Sequence, residues 1–297
     1  MVGFFAMIPC AWLTLLIWPK VQAAISSLQD LMLVSGTLGV WLYTFLERIL
    51  IPTGLHHFIY GPFIYGPVAV ENGIMMDWAQ HIQAFSQSTL PLKDLFPIGG
   101  FALHGNSKLF GSVGIAFAIY AMADEENKGK IAGLLIPAAL TSILVGITEP
   151  LEFTFLFVAP FLFVVHAILA ATMAAIMYSL GVVGNMGGGL IEIASQNWLP
   201  MFHHHASVMF TQLGVGVCFS FIYFFVFKTL IIKFDLKTPG RHCEVKLYNK
   251  SDYKSKLTTG ASVTTESQAG LLIEALGGET NIDQLNNCAT RLQGDGG

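Results

Sequence analysis

The chain of 297 residues is hydrophobic at 54% of its positions and charged at only 11%, where an ordinary soluble domain carries about 25% charged residues. Its mean hydropathy is +0.62, and a net charge of −4 supplies no basic field for a nucleic acid. This balance excludes an ordinary soluble domain and describes a membrane protein. The four cysteines, Cys10, Cys218, Cys243 and Cys288, have neither metal-ligand spacing nor the pattern of a disulfide framework.

Crossing about 30 Å of hydrocarbon takes about 20 apolar residues in a helix. Residues 2–18 form a first candidate span, closed by Pro19-Lys20, with no positively charged region before it of the kind a cleavable signal needs. Residues 21–33 have the mixed polarity of an interfacial amphipathic helix. Residues 32–51 read as a second span, with Glu47-Arg48 near its end. Residues 58–76 are aromatic but interrupted by Gly61-Pro62 and Gly66-Pro67, and residues 77–106 are polar enough for a loop or a partly inserted hairpin. Two apolar runs follow, 111–123 and 131–147, separated by Asp124-Glu125-Glu126. The clearest spans are 153–180 and 206–232.

Several of these runs are too short or too rich in glycine to cross a bilayer alone. Backbone broken at membrane depth must be covered by protein or line an aqueous cavity, which is how transporters build binding sites. The expected fold is therefore an all-α integral membrane protein of several transmembrane helices and re-entrant hairpins, with breaks around His56, Asn106 and Glu149. Lysine and arginine exceed acidic residues over positions 228–256, which marks the cytoplasmic side. The organisation expected is a membrane domain over 1–234, a polar linker over 235–267, and a short segment over 268–297. That last segment has a helical face at Leu271, Leu272, Ala275 and Leu276, and a strand start near Asn287.

Ionisable groups within apolar segments are costly unless paired or hydrated, so they are the informative ones. Glu47-Arg48 is followed by Pro52-Thr53-Gly54-Leu55-His56-His57; two turns of helix would bring Arg48 and His56 to one face. The competing reading is that Glu47 and Arg48 snorkel to the interface. Gly146-Ile147-Thr148-Glu149-Pro150 puts a carboxylate on non-helical backbone between two apolar runs. There it can accept hydrogen bonds from two sugar hydroxyls or take a proton from one during phosphoryl transfer; the plain alternative is a solvated loop. His104 and Lys108, beside Gly105-Asn106-Ser107, form a further polar group for the same cavity. His203-His204-His205 cannot all face one point on a helix, so no metal site is expected from that run, and an interfacial position suits it. His166, alone in an apolar run, reads as a core residue. Cys288 has Arg291 close in sequence, and nearby positive charge is what activates a thiolate.

The stretches ERILIPTGLHHFIY (Glu47–Tyr60) and GITEPLEFTFLFVAP (Gly146–Pro160) resemble the membrane component, Enzyme IIC, of the glucose superfamily of bacterial sugar phosphotransferase systems. AGLLIEALGGETNIDQLNNCATRL (Ala269–Leu292) is similar to the start of that family's cytoplasmic IIB domain. FALHGNSKLFGS and NWLPMFHHHASVMF look most like its maltose and α-glucoside branch. The resemblance implies a multi-pass permease of the bacterial inner membrane with a cytoplasmic C-terminus. It would bind an external sugar, move it by an elevator-like shift and release it phosphorylated. Glu149 would contact the sugar, Arg48, His56 and His57 would face the same site with Lys108 nearby, and Cys288 would pass the phosphoryl group to the sugar's 6-hydroxyl. The implied partners are the sugar, an Enzyme IIA-type phosphoryl donor protein, the lipid bilayer and a second copy of the chain, with no cofactor, metal or nucleic acid.

Family members begin with several further spans, and their IIB domain continues well beyond this chain's QGDGG ending. The sequence therefore reads as shortened at both ends. The second reading it supports is a non-enzymatic relic that inserts in the membrane without phosphorylating sugar. On that reading Arg291 lies on an unpaired strand, and Cys288 keeps the reactivity of an ordinary thiol.

Overall fold

The computed structural model describes residues 27–241, positions 12, 15, 19, 20 and 23, and the backbone of 284–288 and 291–295. The chain divides into two compact units, residues 1–245 and 246–297. The expected span at 2–18, apart from scattered positions, lies outside the described residues, as do the linker beyond residue 241 and the short helix near 271–276.

The first unit is helical, and its helices are repeatedly broken. Residues 27–34 are helical and lead through Gly36, at φ +54°, into α1 (Gly36–Ile49). Pro52 carries no donor and Gly54 sits at φ +72°, so the chain leaves α1 through a 3₁₀ turn at Ile51–Thr53 before α2 (His57–Ile64) begins. Next come α3 (Ile74–Gln87), the short α4 (Leu92–Leu95), a 3₁₀ stretch at Pro97–Ala102 and a π-helical turn at Ser107–Gly111 that runs into α5 (Ser112–Met122). Helix α6 (Lys128–Val145) ends on the left-handed Gly146, and α7 (Glu149–Leu156) starts three residues later. Helix α8 (Pro160–Ser179) is followed by the glycine-rich loop that leads to α9 (Leu190–Ile193). A second π turn at Ala194–Trp198 then continues into the long α10 (Leu199–Lys233). Among the described residues, three helical runs are long and apolar enough to span a membrane: Glu125–Val145, Pro160–Ser179 and Leu190–Lys233. Many large apolar side chains of the outer surface, such as Phe117, Phe210, Phe221 and Phe225, stay exposed, as lipid-facing residues do.

Three expectations change. The run 153–180 is not one span: Pro160 disfavours the helical conformation at Ala159, which sits at φ −147° and ψ 75°, and the helix restarts at Pro160. Residues 77–106 are not mainly loop, because Ile74, Trp78 and Phe85 bury one face of α3 while its polar residues turn outward. The histidine run does not open the last helix but lies within it, since α10 begins at Leu199. His205 (φ −122°, ψ 25°) marks a kink there, and its ring Nε2 lies 3.0 Å from the Phe85 carbonyl oxygen.

Packing follows the small residues. Helix α1 lies along α8, where Trp41 Nε1 donates to Thr172 Oγ1 at 3.2 Å. Helix α5 lies along α10 at Gly114, where an added Cβ would overlap the Ser220 carbonyl oxygen and sit 2.6 Å from Tyr223 Cβ. Close backbone approach at small residues is the usual means of helix association in lipid, where no hydrophobic force separates helix from solvent. Ser220 Oγ ties α10 to the π turn that runs into α5 by donating to the Phe110 carbonyl at 2.8 Å.

In the second unit, Gln284–Cys288 (β1) and Arg291–Asp295 (β2) pair antiparallel, with Gln284 opposite Asp295 and Cys288 opposite Arg291. The expectation of an unpaired strand at Arg291 is thereby corrected. Two five-residue strands joined across two residues satisfy each other's backbone groups as a hairpin does.

The α5–α10 contact gives a direct test. Gly114→Ala is expected to destabilise the purified protein by about 1–3 kcal/mol, the usual cost of overpacking. Gly133→Ala, on a helix face with nothing within 4 Å, should be neutral or slightly stabilising because it removes a helical glycine. Thermal or denaturant unfolding in detergent, run side by side on the two variants, reads the difference.

Candidate functional site

The broken segments of the first unit meet one another. A Cβ on Gly105 would sit 2.6 Å from the Gly188 carbonyl oxygen, and one on Gly146 would sit 2.8 Å from Gly188 C and Gly189 N. Three segments at helix breaks therefore touch without intervening side chains: the helical turn at Gly105 that enters the π turn at Ser107, the stretch before α7, and the Gly187-Gly188-Gly189 loop. Around that junction is a cavity of about 260 Å³, near the small end of ligand sites of roughly 300–1,000 Å³.

Arg48 is fully buried and lies at the back of this cavity. Its Nη2 donates to the His104 carbonyl at 3.0 Å, its Nη1 reaches Glu152 Oε1 at 3.4 Å, and its Nε lies 3.1 Å from Glu47 Oε2. Glu47 and Glu152 are likewise buried. Glu152 Oε1 is also 3.4 Å from His166 Nε2, and the Tyr223 hydroxyl donates to the His166 carbonyl at 3.1 Å. The snorkelling reading of Glu47 and Arg48 therefore fails. A guanidinium with two carboxylates and a carbonyl around it is more favourably placed than an unpaired one at the end of a span, because each partner offsets part of the desolvation cost.

One side of the cavity is aromatic. The rings of His56 and His57 have centroids 4.0 Å apart, Tyr60 stacks on His56 at 5.8 Å, and Tyr60 and His104 lie 6.4 Å apart. Elsewhere the lining is polar: Lys108 from the π turn, Thr148 and Glu149 from the start of α7, and Asn185 and Glu192 from either side of the glycine loop. A π turn inside a helix often marks a functional position, and here it carries Lys108 into the lining. Four polar atoms of the lining residues are buried without a hydrogen-bond partner: Glu47 Oε2 and Arg48 Nε, which face each other as an ion pair at 3.1 Å, and Glu149 Oε2 and His56 Nδ1, which have no ion pair either. Such orphans call for an explanation, because nearly all buried polar groups are paired.

Of the residues singled out in the sequence, Arg48, His56, His57, Lys108 and Glu149 all border this one cavity, although the two motifs that carry most of them are about a hundred residues apart. His104 borders it too. His166 is buried behind it, next to Glu152, so it is neither lining nor an isolated core residue. His203 and His204 are exposed and His205 is buried away from the cavity. Cys288 belongs to the other unit, at the end of β1. Among the described residues no three His, Cys, Asp or Glu side chains gather to hold a metal ion.

Sequence reasoning passed over Glu152, Asn185, Glu192 and the glycine loop. Glu152 had a signal, since it is the last charge before a long run free of Asp, Glu, Lys and Arg. Gly187-Gly188-Gly189, after the free-standing Asn185, was a signal of the same kind: backbone that must approach something closely.

The family model for the phosphotransferase system EIIC component matches residues 1–171, and that for EIIB matches residues 271–293. An alpha-glucoside-specific EIICB component of Klebsiella pneumoniae is 65% identical over 298 residues, covering 98% of this chain and 55% of the relative. A maltose-specific EIICB component of Bacillus subtilis is 58% identical over 301 residues, covering 99% of this chain and 57% of the relative. A glucose-specific EIICBA component of Staphylococcus saprophyticus is more distant, at 39% identity over 298 residues, covering 98% of this chain and 40% of the relative. The chain thus spans about half the length of its alpha-glucoside and maltose relatives. With a match over more than half its length and apolar helices of membrane-spanning size, the chain is a membrane protein and belongs to the phosphotransferase system EIIC family.

Proposed function

We propose that this chain is the sugar-binding part of a phosphotransferase-system permease of the α-glucoside or maltose type, with its sugar in the cavity between Arg48, the His56–Tyr60 wall and Glu149. The observation that carries this reading is the pair of buried, unpartnered atoms, Glu149 Oε2 and His56 Nδ1, on residues that border the cavity. Hydroxyl groups donate and accept at once, so one sugar supplies both a donor for the carboxylate and a partner for the imidazole. The aromatic wall offers ring faces to the C–H surfaces of a sugar, which a simple anion would not use.

On this reading the elements divide as a membrane domain over 1–234, a linker over 235–267 and an IIB-like segment over 268–297. The C-terminal side is cytoplasmic, as the lysine-rich stretch after α10 favours. The partners are an Enzyme IIA-type phosphoryl donor, the bilayer and a second copy of the chain. The match of residues 271–293 to EIIB supports coupling to phosphorylation over the binding-only relic. In that step the P–S bond at Cys288 breaks and an O–P bond forms at the sugar's 6-hydroxyl. The hydroxyl proton passes to a base, for which Glu149 is the carboxylate in the cavity. Lys108 stands by to offset the developing negative charge.

Two outcomes are expected. Glu149→Gln should weaken maltose or aryl α-glucoside binding by about tenfold or more, since a charge-assisted hydrogen bond contributes about 1.5–3 kcal/mol. Glu126→Gln, on an exposed 3₁₀ turn ahead of α6, should leave the dissociation constant unchanged in isothermal titration. Incubation with a phosphorylated IIA-type donor should add one phosphoryl mass to the tail peptide at Cys288, and none to Cys288→Ser. An unmodified thiol in the wild-type chain would favour the binding-only reading instead.

A further inference from the structure

Glu152 and His166 are buried, ionisable and unused by the function proposed above. Neither borders the cavity, yet both stand directly behind Arg48, which does. We propose that Glu152, backed by His166, is the positioning residue that fixes the Arg48 guanidinium for sugar recognition; this rests on the sugar-site reading of the cavity.

Arginine is long and loses substantial rotamer freedom when ordered, so its head group must be pinned at more than one nitrogen to present a fixed face. Glu47 precedes Arg48 on the same helix and meets only Nε, at 3.1 Å. The His104 carbonyl takes Nη2 at 3.0 Å. Glu152 is the partner of Nη1, at 3.4 Å, and comes from α7, the helix whose first residue is Glu149. One short helix therefore carries both the carboxylate that faces the cavity and the carboxylate that holds the arginine.

His166 completes the device from the other side. Its Nε2 lies 3.4 Å from the same Glu152 Oε1 that Arg48 approaches, so a single oxygen is held between a guanidinium and an imidazole. The backbone of His166 is in turn fixed by the Tyr223 hydroxyl at 3.1 Å, and Tyr223 is fully buried on α10. Movement of Glu152 away from Arg48 would thus leave two buried bases short of a partner. The other Glu152 oxygen, Oε2, and both ring nitrogens of His166 have no hydrogen-bond partner, so the 3.4 Å approach of Nε2 to Oε1 is the ring's polar contact here. The cluster therefore has no second arrangement ready to replace this one.

The test separates positioning from mere support of the fold. Maltose binding to the purified full chain in detergent is measured by isothermal titration for wild type, Glu152→Gln, Arg48→Lys and the double variant, with thermal midpoints recorded in parallel. Positioning through Arg48 predicts that Glu152→Gln weakens binding about tenfold. Arg48→Lys should weaken it as much or more, and the double variant should fall within about twofold of Arg48→Lys. Losses that multiply in the double variant, or a Glu152→Gln protein that binds within twofold of wild type, overturn the proposal. Should Glu152→Gln not fold, Glu152→Asp keeps the charge one methylene further back and carries the same cycle: a several-fold loss that vanishes in the Arg48→Lys background is expected, and a loss that persists there overturns it. A wild-type chain that binds neither maltose nor p-nitrophenyl α-glucoside fails earlier, at the sugar-site reading, and takes this proposal with it.

Discussion

The fold of the first unit is organised around one buried cation. Arg48 has no exposed surface and meets three different segments: its own helix through Glu47, the 3₁₀ and π stretch through the His104 carbonyl, and α7 through Glu152. Desolvating a guanidinium costs several kcal/mol even in a relaxed protein, and that cost is offset only while all three segments keep their places. Removing the cation would leave two buried carboxylates facing each other's field without compensation. The breaks in the helices are thus held in register by charge, where a continuous helix would be held by its own backbone.

Glycine does the complementary work. Broken backbone inside a membrane domain needs partners other than lipid, and here the broken segments cover one another. Gly105, Gly146 and Gly188 approach so closely that a Cβ on Gly105 or Gly146 would collide with the facing backbone. A side chain at that junction would both separate the segments and fill the floor of the cavity. The same economy of volume explains Gly114 against Ser220 on the outer side of the site, where two helices close at a distance that no larger residue permits.

Much of this was readable before any coordinates, and the reasons are local. Pro52 with Gly54, and Gly146 with Pro150, disrupt helical backbone by their own covalent structure, so the breaks at His56 and Glu149 could be read where they occur. Composition alone assigned the chain to the membrane. What could not be read depends on partners distant in the chain. Glu152 looked like a loop charge because its partner Arg48 lies 104 residues earlier. Residues 77–87 looked polar because the half of the helix that buries Trp78 and Phe85 could only be recognised once there was a core to bury it in. His205 passed for one of three interfacial histidines because its partner, the Phe85 carbonyl, belongs to that same helix 120 residues away. Sequence periodicity reports a segment's own shape, whereas buried charge reports the meeting of two segments.

The polar groups around the cavity divide into two kinds, and the division itself locates the work. Arg48, Glu47, Glu152 and the His104 carbonyl face one another at 3.0–3.4 Å, so their charge is largely consumed within the protein. Glu149 Oε2 and His56 Nδ1 are likewise deprived of solvent but have neither a hydrogen bond nor an ion pair from the chain. A fold that neutralises a guanidinium by burying two carboxylates with it has no evident gain from burying an oxygen of a third carboxylate, a few residues away, with neither a donor nor a cation paired to it. The cost of that orphan falls on the empty site and is recovered only when a ligand hydroxyl arrives. Buried charges that meet one another are therefore the scaffold here, and Glu149 and His56, which border the cavity with no such partner, are the reading head; Glu149, three residues before Glu152 on the same short helix, is where one passes into the other.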